Sequence, residues 1–301
     1  MGAGRTVGLK AFQNTLEPIA KKSFHLGLGR QVMSRRDFFY KVDKSDKQTE
    51  SYLEIGDFDQ VPEFDGDLQY ADWQEGFKNT ITNKEYLLGL KIEYRWKRFD
   101  QLRVAKQASE MLGLAMKRRI ASDSVYWANN MFNGAYVSRD GVALCSPSHT
   151  SNVGGATQSN YGVTAFNAVS LSAARIAHRK IVSNTDNPLD IMPNMLAGSI
   201  DLDDYFQEVV KSKSRPYTNN NEINVHYGKF QTVTDVRIND TNNWSLIDTD
   251  LMKQFQIWQE VDPVAFEKDS EFEGRISKFL VSALYGFGSI GWEWIFGFEV
   301  S

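Results

Sequence analysis

The sequence predicts an α+β fold built around extended limbs, and three observations carry that prediction. A helical run of unusual length spans Phe99 to Phe132. Two runs of alternating character precede it, and a strand-rich, aromatic region closes the chain. The 301 residues are 42% hydrophobic and 24% charged, a globular balance that suits one large or two ordinary domains.

From the amino terminus, Val7, Phe12, Leu16 and Ile19 give a modest helical pattern that runs into His25-Leu-Gly-Leu-Gly29. This reads as an arm, about Met1 to Val32, that gains order only against a neighbour. Residues Asp57 to Asp67 form an acidic loop punctuated by Pro62 and Gly66. Counted from Asp57, the twelfth residue is Leu68 where a calcium loop needs glutamate, so a solvated loop is expected.

Tyr70 to Thr82 and Lys84 to Trp96 both alternate, and Asn83 joins them. In the second run Tyr86, Leu88, Leu90, Ile92, Tyr94 and Trp96 share one face. The expectation is a long hairpin that projects from the body and needs a partner to cover it.

The helix after it carries Leu102, Ala105, Ala108, Leu112, Ala115, Met116 and Ile120 on one face, with Asp100 at its start and Asn133-Gly134 as its stop. At about 1.5 Å per residue it would reach roughly 50 Å. Arg103, Lys106, Glu110, Lys117, Arg118 and Arg119 line the opposite face, which reads as solvated or as a subunit contact rather than a nucleic-acid stripe.

A Ser/Gly/Asn-rich loop spans Ser151 to Gly162. Thr164 is then expected to cap a helix to Val182 that buries Phe166, Val169, Ala173, Ile176, Ala177 and Ile181. Asp201 and Asp204 open a shorter helix to Val210, and Lys211 to Glu222 is a polar loop with Asn219 to Asn221 at its tip. Ile223 to Ile238, Trp244 to Asp248 and the segment beyond are strand-like, and Leu284 to Phe298 reads as a buried terminal strand.

Catalytic motifs find no support in their surroundings. Gly286-Phe-Gly-Ser-Ile-Gly291 matches a dinucleotide fingerprint, yet only ten residues follow, too few for the helix and strand that motif requires. Cys145 and His149 are four apart beside Pro147, and a chain with one cysteine and four histidines offers no zinc set. Ser146 and Ser148 lack a strand-turn-helix elbow. No catalytic, cofactor-binding or metal residue is expected, and hence no enzyme and no cofactor. A soluble enzyme acting through Cys145 and His149 is the reading to test against. The lone cysteine requires no oxidising compartment, which suggests a cytosolic origin, and no apolar run reaches membrane-spanning length.

Several stretches together resemble the major capsid proteins of tailed bacteriophages, specifically the Mu-like major head subunit family with the Hong Kong 97-type shell fold. They are Ala71-Asp-Trp-Gln-Glu-Gly-Phe77, Lys84-Glu-Tyr86, Phe132-Asn-Gly134, Asp140-Gly-Val-Ala-Leu-Cys-Ser-Pro-Ser-His149, Asn187-Pro-Leu-Asp-Ile-Met-Pro193, Val225-His-Tyr-Gly-Lys-Phe230, Thr241-Asn-Asn-Trp-Ser-Leu-Ile-Asp248 and Tyr285-Gly-Phe-Gly288. The resemblance covers residues 50 to 301; the proline pair the family places near Gly198 is absent.

It implies an N-terminal arm (1–49), an extended hairpin loop (50–96), a peripheral domain with a spine helix (97–163), and an axial domain interleaved with returning peripheral strands (164–301). It also implies self-assembly, as hexamers and pentamers, into an icosahedral shell around double-stranded DNA in the virion. Assembly would take place in the bacterial host cytoplasm, with scaffolding, portal and decoration proteins as further partners and no membrane. No long scaffolding segment precedes the arm, so a separate scaffold or a cleaved precursor is expected. Lys78 and Lys84 match no crosslinking position. A net charge of -4 fits a shell that must not grip its DNA. An encapsulin-like compartment is the alternative on the same fold.

Overall fold

The computed structural model describes residues 9–301 except 59, 65, 67, 69, 72–74, 94–101, 152–153, 215–221 and 272–275. The starts of both the arm and the long helix, including Asp100, and the loop tip at Asn219 to Asn221 lie outside the described residues.

Helix α1 (Leu9–Leu28) leads to a short turn of helix, α2 (Arg36–Phe39), and strands β1 (Lys41–Lys44), β2 (Thr49–Ile55), β3 (Glu75–Thr82) and β4 (Lys84–Glu93). The arm is ordered against its own chain, which corrects the expectation that it waits for a neighbour. Leu16, Ala20 and Phe24 are buried, and Phe24 stacks on Phe266 at 4.9 Å. The helix continues through His25 to Leu28 because its glycine meets another backbone: a Cβ on Gly27 would sit 1.9 Å from the Glu110 carbonyl oxygen.

The predicted hairpin around Asn83 does not form. β3 pairs antiparallel with β2, and β4 pairs antiparallel with a later strand. A two-residue loop is the shortest common hairpin connection, so a single residue passes the chain from one sheet to the next instead of reversing it. Asn83 is buried at that step; its N–H donates to the Gln48 carbonyl at 2.9 Å and its Nδ2 to the Lys47 carbonyl at 2.8 Å. The two-stranded ribbon is therefore β2–β3, and it lies against the body instead of standing clear of it. Within β4, Tyr86, Leu90 and Ile92 do turn inward as the alternation predicted, whereas Leu88 stays exposed.

The long helix is shorter than predicted. α3 runs from Leu102 to Asp123, and a separate short helix, α4 (Tyr126–Asn130), follows. The break falls at Asp123 and Ser124, whose side chains compete for backbone and core partners. Ser124 Oγ donates to the Ala121 carbonyl at 2.7 Å and accepts from Arg35 N–H at 3.1 Å, while Asp123 accepts from the buried Tyr285 hydroxyl at 2.7 Å. Nor is the rod bare: α1 packs along it on one side and β4 on another. Of its charged face, Glu110 pairs with Arg30 at 2.7 Å and Arg119 with Asp123 at 2.8 Å.

The remaining elements are β5 (Tyr161–Gly162), α5 (Ala168–Arg179), β6 (Met195–Ser199), α6 (Asp203–Lys211), β7 (Gln231–Asp235), β8 (Trp244–Ile247), α7 (Thr249–Phe255), β9 (Gln256–Glu271), β10 (Ile276–Ser289) and β11 (Ile295–Phe298). A four-stranded sheet, β1-β9-β10-β4, lies beside α3, and a five-stranded sheet has the order β5-β11-β8-β6-β7. β9 and β10 form the longest ribbon, and Pro263 falls where their register shifts, the place a ladder tolerates a residue without an N–H.

The five-stranded sheet has two covered faces, and its strands alternate between them. Met195, Ala197, Ile247 and Ile295 face the main core with Trp127 and Leu144; Leu196, Trp244, Leu246, Phe296 and Phe298 lie beneath α5 and α6. Gly297 is where that core approaches most closely, since a Cβ there would lie 2.6 Å from Cys145 Sγ.

Helix α5 is capped by Asn167, not Thr164: Asn167 Oδ1 accepts from Val169 N–H at 2.8 Å and Ser170 N–H at 2.9 Å, and Ser170 Oγ accepts in return from Asn167 N–H. Its buried face is also not the predicted one. Leu171, Ala174 and His178 face the sheet, while Val169, Ala173, Ile176 and Ala177 are exposed. The helix carries two apolar stripes, and periodicity alone does not choose between them. α6 follows a single 3₁₀ turn, Ile200–Leu202, capped by Ser199, close to the expected start.

Candidate functional site

A cleft of about 500 Å³ lies where the end of the β2–β3 ladder away from Asn83, and the loop that leaves β2, meet the body. Tyr52, Phe58 and Phe77 come from the ribbon and its loop, Phe255 and Trp292 from the body. Arg139 stands in its wall, joined to Glu54 of β2 at 3.1 Å and also to Glu293. All three side chains are mostly buried, so one guanidinium serves two carboxylates in a site of low polarity. Each acid has a second donor: Phe77 N–H to Glu54 at 3.2 Å and Trp292 N–H to Glu293 at 2.9 Å.

Further bonds fix the ribbon nearby. Asn79 Nδ2 donates to the Ser289 carbonyl at 2.6 Å, Gln259 Nε2 to the Tyr52 hydroxyl at 2.9 Å, and Asp57 N–H to Asn184 Oδ1 at 2.9 Å. The cleft is thus a joint between ribbon and body.

The candidate pair Cys145 and His149 is not brought into partnership. The Nδ1 of His149 lies 2.6 Å from Asp140 Oδ2, its Nε2 lies 3.0 Å from Asn160 Oδ1, and its ring stacks on Trp292 at 4.2 Å. Both nitrogens are engaged, so the imidazole holds this corner together. Asn160 continues the network, donating from Nδ2 to the carbonyls of Leu144 and Ile295 at 2.9 and 3.1 Å. Cys145 is buried beside Gly297, and burial pushes its thiol up, the opposite of an activated nucleophile. Ser146 accepts from Ser148 N–H at 3.2 Å, a local turn bond.

The glycine fingerprint is likewise structural. Gly286 and Gly288 lie inside β10, and a Cβ on Gly286 would stand 2.6 Å from Asn83 Oδ1, against the step between sheets. Of the acidic loop, Asp59, Asp65 and Asp67 lie outside the described residues; Asp57 accepts from Thr185 Oγ1 at 3.4 Å. Among the described residues no group of acids, histidines and cysteine could hold a metal, and no helix is long and apolar enough to cross a membrane. Lys78 and Lys84 are exposed. Sequence reasoning missed Glu54, Arg139 and Glu293, which come from three distant segments with no spacing to connect them.

Beyond the joint, the loop at the ribbon's end leaves apolar side chains bare: Val61 is 95% exposed, Tyr70 85% and Phe64 75%. An isolated chain rarely presents so many together unless they meet another surface.

An arm, a two-stranded ribbon, a spine helix beside a four-stranded sheet and a second sheet layered under two helices together make up a fold of the Hong Kong 97 type. Solved capsids share the arrangement. The capsid of bacteriophage JBD30 decorated with minor capsid protein trimers is similar at 15% identity, covering 69% of this chain and 92% of that one, with a TM-score of 0.57. The mature capsid of bacteriophage PhiM1 is similar at 11% identity over 91% of this chain and 89% of that one, with a TM-score of 0.60. A chain from Microbacterium phage Oxtober96 is similar at 8% identity, 90% and 92% coverage, and a TM-score of 0.57. At such identities the likeness is one of fold. The family described as phage capsid protein matches residues 84–298, and the chain belongs to that family. A search of curated proteins finds no match.

Proposed function

We propose that this capsid protein is the major head subunit of a Mu-like tailed phage, closing with copies of itself as hexamers and pentamers into an icosahedral shell around double-stranded DNA. The observation that carries the reading beyond the family is the uncovered apolar loop of the ribbon, with Val61, Phe64 and Tyr70 bare in a single copy. Burying each such side chain against a neighbour contributes about 1.5–3 kcal/mol before ordering losses, and a shell repeats the contact around every ring.

In this reading α3 and the four-stranded sheet form the peripheral domain, and the five-stranded sheet with α5 and α6 forms the axial domain. The arm is residues 1–49 and the extended loop is the β2–β3 ribbon, which ends at Thr82 rather than residue 96. The role is structural and not enzymatic, because the family is a shell family and the joint residues hold each other. Portal, scaffolding and decoration proteins are the further partners, the virion is the final location, and the shell assembles in the host cytoplasm. The net charge of -4 supports a lining that leaves DNA free to move.

Negative-stain microscopy of the purified full chain tests the proposal. Closed, uniform shells are expected. A protein that stays a lone monomer by sedimentation at high concentration, with and without co-expressed scaffold, overturns it.

A further inference from the structure

Strand β4 is an edge of the four-stranded sheet: it pairs with β10 on one side, and among the described residues no strand pairs with the other. Ten residues long, it turns a row of N–H and C=O groups outward. Natural edges are guarded by charge, proline or a bulge, and the middle of this one is bare: Leu87 is 53% and Leu88 49% exposed, with Gly89 next. The helix above leaves the edge open too. Phe279 and Tyr285 of β10 are buried against Ala105 and Asp123 of α3, so the helix axis lies over β10. On the flank of α3 turned away from Gly113, where α1 packs, Val104 is 46% and Met111 45% exposed. The other free edges of the two larger sheets are shorter or guarded. β1, β5 and β7 have four, two and five residues, and β9 beyond β1 carries Pro263 with Asp262, Glu267 and Asp269.

We infer that β4 of one copy pairs antiparallel with β4 of a second about a two-fold axis at Leu88, fusing two four-stranded sheets into one. The inference rests on the self-assembly reading and names a contact within it, one that links two rings because a two-fold contact closes after two copies. Register selects the centre. Residues directly opposite in antiparallel strands share a face, so the axis passes through a residue and not between two. At Leu88 it sets Glu85 against Lys91 twice, Leu87 against Gly89 twice, and Leu88 against its own equivalent. At Gly89 it would oppose Glu85 to Glu93, and at Leu87 it would leave Glu85 and Lys91 unmatched. Glu85 and Lys91 are exposed and make no ion pair among the described residues, whereas Glu93, and Lys278 beside Lys91 on β10, are engaged within the chain. Lys84 falls opposite Ile92. On α3, Arg119 is held by Asp123 and Tyr86, Glu110 by Arg30, and Lys106 lies towards α1. Arg119 over Tyr86 and Ala105 beside Ile92 place Leu88 near the middle of the helix. The Arg118 side chains of the two copies then start at least about 15 Å apart, and those of Arg103 further. Leu88 of both copies fills the groove between the two helices, walled by Met111.

The test uses the full chain with Leu88→Cys, Lys91→Cys and Glu85→Cys made singly, and mild copper-phenanthroline oxidation of the assembled particles. Cys145 is buried and does not compete. Leu88→Cys alone is expected to give disulfide-linked dimers and nothing larger on a non-reducing gel, since its two copies meet at the axis within disulfide reach. Lys91→Cys alone is expected to stay unlinked, because its equivalents lie about 20 Å apart along the strands, and co-assembly with Glu85→Cys is expected to yield mixed dimers. Shells in which Leu88→Cys does not link, Lys91→Cys links to itself, or no mixed dimer forms overturn the contact while leaving the capsid reading intact. Persistent monomers of the parent protein sink both. Charge reversal supplies a second readout: Glu85→Lys is expected to lower particle yield at least tenfold with the subunit's thermal midpoint unchanged, and adding Lys91→Glu to restore it. Unchanged yield in the first variant, or no recovery in the second, also overturns the contact.

Discussion

His178 shows how one side chain ties stability to pH. Its ring is buried, Nε2 donates to the Glu293 carbonyl at 2.8 Å, and Nδ1 has no partner among the described residues. Burial lowers its pKa from 6.5 to about 4. The unfolded chain therefore takes up a proton near pH 6.5 that the folded chain refuses until about pH 4. Its contribution is fully present above pH 6.5 and is lost as pH falls, by ~3 kcal/mol at about pH 4. His178→Gln keeps a donor for the carbonyl, so urea midpoints at pH 7 and pH 4.5 are expected to differ less in the variant than in the parent. Arg139 is the second such residue. Arg139→Met leaves Glu54 and Glu293 buried without a cation, an expected loss of about 3 kcal/mol or more in denaturant unfolding. Amide exchange in β2 and β3 is expected to quicken more than in β10. Neither role was legible in the sequence, because each depends on segments that only the fold brings together. Pro147 already argued against Cys145 and His149 sharing a helical face, but nothing in the sequence placed Asp140 and Asn160 on the two ring nitrogens of His149.

At the scale of elements, the crossing of α1 over α3 is set by two glycines. A Cβ on Gly113 would meet the Phe24 carbonyl oxygen at 2.3 Å and Leu28 N at 2.9 Å. Gly113→Ala is expected to push the helices apart at a loss of about 1–3 kcal/mol. Gly134→Ala, with nothing within 4 Å, is expected to change the thermal midpoint little. Helices and strands were largely readable from period, including α6 and β8, whereas the terminal strand expected over Leu284 to Phe298 is two, the end of β10 and β11, in different sheets with a turn between them. Partnerships were not. Alternation in β3 and β4 reports a strand but carries no information on which strand lies beside it, although the single residue between them argued against a turn. The segment beyond Asp248 was read as strand-like, but not as one long β9–β10 ribbon, since Asp262, Pro263, Glu267 and Asp269 interrupt its apolar rhythm. The long helix was overextended through Asp123-Ser124, where side-chain hydrogen bonding competed with the backbone.

For the whole molecule, the sequence conveyed the α+β class and the shell family, because turn and loop motifs recur in order over most of the chain. It overstated how much a single copy leaves bare: the arm and rod cover each other, and the ribbon's loop remains. That division gives a prediction. Val61→Asp with Phe64→Asp changes side chains that touch little within one copy, so the unfolding midpoint is expected to hold within about 0.5 kcal/mol. Shell yield by sedimentation is expected to collapse. Intact shells from that variant would show that the loop does not seat on a neighbour.

Asn83 gives this protein its mechanics. It clasps the Lys47 and Gln48 carbonyls and so holds the start of β2 against the end of β3, and bonds from Asn79, Tyr52, Glu54 and Asp57 tie the rest of the ribbon to the body. A pull on the loop beyond Ile55 and Glu75 is therefore met by several bonds in parallel, as a tent fly is held by a row of pegs and not by one pole.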